Sequence, residues 1–242
     1  MRLRTPDWLL ARPIAHRGLH DAERPENSVA AYDAAIAAGY PIELDVHLGS
    51  GGELVVFHDR ELARMTGAEG WVDRVPWSTL SGLRLGGSDE AIPTLQQVLA
   101  RVAGRVPVVV ELKPSERASA LCRAVLDALV DYRGAIAIQS FDPRLLARLR
   151  AASWRGPLGV LASDFADQDM GKTRKLVLRN LLLAPASLPS YIGYQLRCLP
   201  HPAATLARRL GCAIVAWTIR TEAELARAAE LADNVIFEEI RP

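Results

Sequence analysis

The sequence predicts a closed (β/α)8 barrel, a TIM barrel, and two observations carry that reading. Short apolar runs alternate with helical patterns for nearly the whole length, which means a parallel sheet with helices packed on it. The chain is 242 residues long, and eight strand–helix units in roughly 250 residues is the size of such a barrel. An open doubly wound sheet is the competitor. It is weakened by the lack of a G-x-G-x-x-G after the first strand and of any Walker loop.

The elements are expected as follows. Pro13–Ala15 is a first strand, followed by an alanine-rich helix over Ser28–Ala38 that Asn27 can cap and Gly39 can end. Ile42–Val46 is the second strand. Leu54–His58 is its hairpin partner, because the Gly-Ser-Gly-Gly turn (49–52) joins them. Residues 60–92 show no clear period and read as a short insertion with a helical turn near Thr79–Leu83. Pro93-Thr94 opens a helix through Val102, closed by Gly104.

The later rhythm is regular. Strands are expected at Val108–Leu112, Ala135–Ser140, Pro157–Leu161, Tyr191–Gln195, Ala213–Thr218 and Asn234–Phe237. Between them come helices at Glu116–Val130, Asp142–Ala151, Thr173–Leu183, Pro202–Leu210 and Glu222–Leu231. Asp142 caps its helix, with Pro143 in the first turn. Without the hairpin strand there are eight strands, and residues 1–242 read as a single domain. The Thr173–Leu183 helix sets Lys172, Arg174, Lys175 and Arg179 against Leu176, Val177, Leu181 and Leu182. An outer helix of the barrel accounts for that pattern; transient contact with a membrane is the alternative.

Composition narrows the function. Half the residues are hydrophobic and 24% are charged, as a globular protein with a full core requires. A formal net charge of +1 gives no general attraction to nucleic acid, so affinity for phosphate must come from a local cluster. Cys122, Cys198 and Cys212 form no CxxC pair and suggest neither a disulfide framework nor a zinc site. No signal peptide is evident, and no stretch reaches the ~18 apolar residues of a membrane span. A cytoplasmic location is the expectation.

The polar residues gather at strand ends. Side chains two apart on a strand share a face, so Glu43 points with Asp45 and Glu111 with Lys113. The mouth of a barrel is where charge at the carboxyl end of a strand is tolerated. Three carboxylates converging there repel one another unless a cation neutralises them. A hard divalent ion with oxygen ligands, Mg²⁺ or Ca²⁺, answers that need, and Mn²⁺ is a further option. His16 and His58 can move protons near neutral pH. Arg17 and Lys113 suit a phosphate oxygen. A solvated strand end for Glu43–Asp45 and a surface ion pair for Glu111–Lys113 are the plain alternatives.

These residues resemble the glycerophosphodiester phosphodiesterase family, within the phospholipase-C-like phosphodiesterases. The resemblance rests on His-Arg-Gly (16–18), Pro-Glu-Asn-Ser (25–28), Glu-Leu-Asp-Val (43–46), His-Asp (58–59), Ile-Pro-Thr-Leu (92–95) and Glu-Leu-Lys (111–113). Gln-Ser-Phe (139–141) and Trp-Thr (217–218) fit later positions. It implies a TIM barrel with metal held by Glu43, Asp45 and Glu111. It implies His16 and His58 as general base and acid, Arg17 and Lys113 on the phosphate, and Trp217 lining the pocket. A glycerol hydroxyl next to the ester would attack phosphorus, and water would open the cyclic phosphate to glycerol 3-phosphate. The 60–92 segment falls where the family carries an insertion over the mouth.

Lysophospholipase D activity on lysolipids is the alternative substrate class, and a silent phosphate-binding barrel the alternative from outside catalysis. Three departures from the family pattern stand out: the Gly49–Gly52 turn, Arg220 after Trp-Thr, and the close Phe237-Glu238-Glu239-Ile240-Arg241-Pro242. The last two bear on substrate preference. His20, His47 and His201 read as surface or loop histidines, with His47 near enough to the site to assist.

Overall fold

In the computed structural model, residues 4–166 and 168–242 are described. A helical turn α1 (Trp8–Ala11) precedes strand β1 (Ile14–Ala15), helix α2 (Val29–Ala38), β2 (Ile42–Leu48) and β3 (Leu54–Val56). The insertion holds α3 (Ala63–Thr66) and α4 (Trp77–Leu80), and α5 (Leu95–Val102) leads to β4 (Val108–Leu112) and α6 (Ala118–Leu129). Then come β5 (Ile136–Ser140), α7 (Pro143–Ala151), β6 (Leu158–Ala162) and α8 (Lys172–Arg179). The chain ends with β7 (Tyr191–Gln195), α9 (Pro202–Arg209), β8 (Ala213–Ile219), α10 (Glu222–Leu231) and β9 (Asn234–Phe237). Eight parallel strands with alternating helices close into a TIM barrel, as expected, with β3 outside it as the antiparallel partner of β2.

Contacts divide the chain into two compact units, Ile14–Ile136 and Met1–Pro13 with Ala137–Pro242. In Ile14–Ile136 the register matters most. β2 pairs with β4 so that Asp45 stands beside Glu111, and β1 pairs with β2 at Ala15 and Ile42. Every residue of β2 and β4 is buried, which is what a strand covered on both faces demands.

Helix α2 is capped by Ser28, whose hydroxyl accepts from the Ala31 N–H at 3.1 Å, and Gly39 ends it at φ 72°. Asn27 was the expected cap. It is instead held at φ 56°, and its side chain turns to the acids of β2. Helix α5 opens with a full capping box, Thr94 to the Gln97 N–H and Gln97 back to Thr94. It ends one residue before the expected closure, at Ala103, with Gly104 following in the same left-handed region.

The 60–92 insertion is more ordered than its sequence suggests. Leu62, Val72, Leu80, Leu85 and Ile92 pack with Val55 and Phe57 into a small core of their own. Such spacing follows no helix or strand period, so periodicity could not reveal it.

In the other unit, β5 to β9 pair in sequence order. Asp142 caps α7 through the Arg144 N–H with Pro143 first in the helix, and Thr221 caps α10 with Glu222 and Glu224 in its first turn. The Asn234 amide on β9 donates to the Leu9 and Arg12 carbonyls, which ties down α1, a turn the sequence reading lacked. Helix α8 departs from expectation: it stops at Arg179, and none of its residues is buried. Its apolar face is only partly covered: Val177 and Leu178 are half-buried, whereas Leu176 is exposed.

Candidate active site

Strand alternation turns Glu43 and Asp45 to one side of β2, and register adds Glu111 from β4. One carboxylate oxygen from each lies within 4.8 Å of the others, and all three residues are buried. The solvated strand end is thereby excluded, and so is the surface ion pair. Lys113 is buried too, with Nζ 2.6 Å from Glu111 Oε1 and 2.7 Å from Asp45 Oδ1.

Arg17 follows β1 in the left-handed region at φ 54°, with Gly18 at φ 82°. A side chain at Gly18 would come within 2.9 Å of Ala31, so only glycine lets this turn pass so close to α2. The turn aims the Arg17 N–H at Glu43 Oε2 (3.2 Å) and its guanidinium at Asp45 Oδ2 (3.4 Å). Asn27 completes the set: its amide donates to Asp45 Oδ2 at 2.9 Å while its carbonyl accepts from the buried Tyr32 hydroxyl at 2.9 Å.

Burial pushes the Glu43 carboxyl well up, and the charges of Asp45 and Glu111 add to it. Burial raises Glu111 as well, against the pull of Lys113. Burial acts the same way on Asp45, but Lys113 and Arg17 outweigh it and hold the carboxyl well below the usual range. Burial opposes the Lys113 ammonium, yet Asp45 and Glu111 keep it charged.

The donor set suits a hard cation. It is all oxygen, without thiol or imidazole, and three carboxylates outnumber Arg17 and Lys113 by one charge. Glu43 in particular is destabilised as an anion, which a divalent ion beside it would relieve. Glu43, Asp45 and Glu111 are the residues that would hold it.

His16 stands one residue beyond β1, and His58 two beyond β3. His58 Nδ1 lies 2.6 Å from Asp59 Oδ1. A donated Nδ1–H leaves Nε2 as the nitrogen able to exchange a proton. Burial and the Lys113 charge push the His58 imidazole down to about 4, partly offset by Asp45 and Asp59. His47, expected at the surface, is buried, and its Nε2 lies 3.2 Å from the His58 carbonyl, fixing the backbone that carries His58. His201 lies in the loop before α9, as expected, but it is buried, caps α9 through the Ala203 N–H and stacks on Tyr194.

Two further residues join these groups. Arg64, from the insertion, grips Asp59 Oδ2 and also Glu26, at 2.6 Å and 3.0 Å. Glu26 in turn accepts from Arg17 Nη1 at 2.9 Å. A continuous chain therefore runs from His58 through Asp59, Arg64, Glu26 and Arg17 to Asp45. Glu26 and Asp59 fall within the quoted motifs without a role, Asn27 was expected only as a helix cap, and nothing in the sequence singled out Arg64. The only local signal was Asp59 directly after His58.

Trp217 lies on β8, edge-on to Phe141 with ring centres 5.4 Å apart, and Phe141 is edge-on to Phe165 at 6.0 Å. Its Nε1 is buried without a hydrogen-bond partner among the described residues. Arg220 pairs with Glu238 at 2.6 Å, so two of the departures from the family pattern neutralise each other.

Comparison with known proteins bears on the family and the fold. A Bacillus subtilis protein with the provisional name glycerophosphodiester phosphodiesterase is 29% identical over 223 residues, 88% of each chain. The glycerophosphodiester phosphodiesterase structure from Thermotoga maritima superposes with a TM-score of 0.73 at 25% identity, covering 94% of this chain and 95% of that one. An Oleispira antarctica phosphodiesterase solved with the product sn-glycerol-3-phosphate matches at a TM-score of 0.77 and 22% identity, over 94% and 92% of the two chains, and shares the fold. The sequence profile of the glycerophosphoryl diester phosphodiesterase family matches residues 16–238, and the chain belongs to that family.

Proposed function

We propose that the protein hydrolyses glycerophosphodiesters to glycerol 3-phosphate and an alcohol, with a divalent cation held by Glu43, Asp45 and Glu111. The observation that carries this reading is the buried carboxylate trio beside Lys113 and Arg17, in a chain of this family. A bound cation, Mg²⁺ or Ca²⁺ with Mn²⁺ as a further option, supplies positive charge to the phosphate oxygens in the transition state. The residues 1–242 act as one barrel domain with 60–92 as its insertion, which the extent of the family match supports.

The chain's own groups divide the remaining work. Arg17 and Lys113 orient the phosphate; Lys113 has three N–H bonds and uses two on Asp45 and Glu111. His16 and His58 form the acid–base pair. One takes the proton of the glycerol hydroxyl as it attacks phosphorus, and the other gives a proton to the departing alcohol oxygen as that P–O bond breaks. In the second step the roles reverse: a water is deprotonated and adds to phosphorus, and the ring oxygen leaves protonated. Trp217 forms part of the pocket wall in this reading. Cys122, Cys198 and Cys212 are thiols not joined in disulfides, which fits a reducing, cytoplasmic setting. No described helix is long and apolar enough to cross a membrane.

A coupled assay for glycerol 3-phosphate, run on glycerophosphocholine and glycerophosphoethanolamine with each cation, tests the proposal. Cation-dependent release of glycerol 3-phosphate supports it; a bound but unhydrolysed diester contradicts it.

A further inference from the structure

We propose that the leucine-lined groove between α9 and the 180–189 segment that follows α8 docks on the surface of an anionic phospholipid bilayer. Leu182, Leu188, Leu206 and Leu210 line one apolar cavity of about 320 Å³ together with Ile192. Leu182 and Leu206 are 62% and 57% exposed, and Leu176 on α8 is 60% exposed. A contiguous exposed apolar surface of this kind marks a binding face.

Charge identifies the partner. The whole chain balances 29 basic residues against 28 acidic ones, yet residues 171–212 hold seven bases and no acid. Arg197 and Arg208 pair with Asp164 and Asp233 from outside that segment. Lys172, Arg174, Lys175, Arg179 and Arg209 make no ion pair with a carboxylate among the described residues. Arg209 shares a cleft with Leu206, and Asn180 at the end of α8 lines the apolar cavity. At a rise of ~1.5 Å per residue the bases of α8 lie within about 12 Å of that cavity along the helix. Leucines flanked by bases that have no carboxylate partner among the described residues match the headgroup and acyl boundary of an anionic leaflet. A second copy of this chain fits poorly, because a symmetric pairing through the groove would set the same bases against one another.

Sedimentation of the full chain with vesicles tests this, comparing equal parts phosphatidylglycerol and phosphatidylcholine with phosphatidylcholine alone. The protein is expected to partition onto the anionic vesicles and to leave them as salt rises. Lys172→Gln and Arg174→Gln are each expected to weaken partitioning about fivefold, and Leu182→Ser with Leu206→Ser about tenfold or more. All these variants should retain the thermal melt and the solution turnover of the parent, so failure here is distinct from failure of the hydrolase reading. Absence of binding at low salt, equal binding to the neutral vesicles, or unchanged binding by the variants would overturn the proposal. So would a concentration-dependent dimer that the leucine substitutions dissolve.

Discussion

The Lys113 ammonium lies 2.7 Å from Asp45 Oδ1 and is buried with it, so one residue of β4's end answers the charge on β2. The contact depends on two alternations, Glu43 to Asp45 and Glu111 to Lys113, meeting in register. Replacing Lys113 by Met leaves three buried carboxylates against Arg17 alone. Turnover should fall ~10²–10³-fold, as for loss of a preorganised positive group, and the thermal midpoint should drop as well. Lys113→Arg should not restore activity, because a planar fork cannot reproduce a compact ammonium between two carboxylates. The coupled assay and a thermal melt measure both effects.

Asn27 orients Asp45 without touching solvent. Asn27→Gly keeps the φ of 56° accessible but removes the amide, which isolates the hydrogen bond from the backbone. Cation affinity or activity should fall ~10–100-fold, the usual loss for a group that positions a metal ligand. Calorimetric titration with Mg²⁺ or Ca²⁺ reads it directly, and wild-type affinity would refute the role.

Arg64 holds Asp59 behind His58 and Glu26 behind Arg17. Arg64→Ala should lower kcat ~10–100-fold while the fold persists, since Arg64 itself is exposed. In the proposed mechanism His58 moves a proton and Arg17 orients the phosphate, and Arg64 supports the acids behind both, so kcat and KM should both worsen. A change in neither would mean that the insertion contributes packing only.

Asp142 caps α7 and its carboxyl is held below the usual range: burial opposes this, but the Arg144 side chain and N–H outweigh it. A depressed carboxyl stabilises the fold above its ordinary value of ~3.9 and loses that contribution as pH falls. Asp142→Ala should therefore cost ~1 kcal/mol near neutral pH. The gap should narrow in acid, while Asp142→Asn keeps the cap throughout. Urea unfolding of all three proteins on both sides of the carboxyl range gives the comparison.

Much of this was legible because strands have a period of two and their charged residues sat at strand ends. Glu43, Asp45, Glu111 and Lys113 could be placed on shared faces from spacing alone, and the capped helices α5 and α7 announced themselves at Thr94 and Asp142. What stayed hidden had no local pattern. Asn27 looked like a cap, and only its left-handed φ and the depth of Asp45 show what it does. Arg64 sits in an aperiodic segment whose order comes from a separate small core. The burial of His47 and His201 was not legible because burial of a lone polar residue depends on neighbours distant in sequence. Arg220 and the altered ending seemed two separate departures until the ion pair with Glu238 joined them.

The central claim is a cation-dependent diester hydrolysis driven by His16 and His58. The most direct measurement is glycerol 3-phosphate release by chelator-treated enzyme, retitrated with Mg²⁺ or Ca²⁺, for wild type, His16→Ala and His58→Ala. Wild-type activity should vanish with the chelator and return with the cation, while each histidine variant stays ~10²–10⁴-fold slower at saturating cation. Activity indifferent to the chelator, or wild-type rates in both folded histidine variants, would contradict the account.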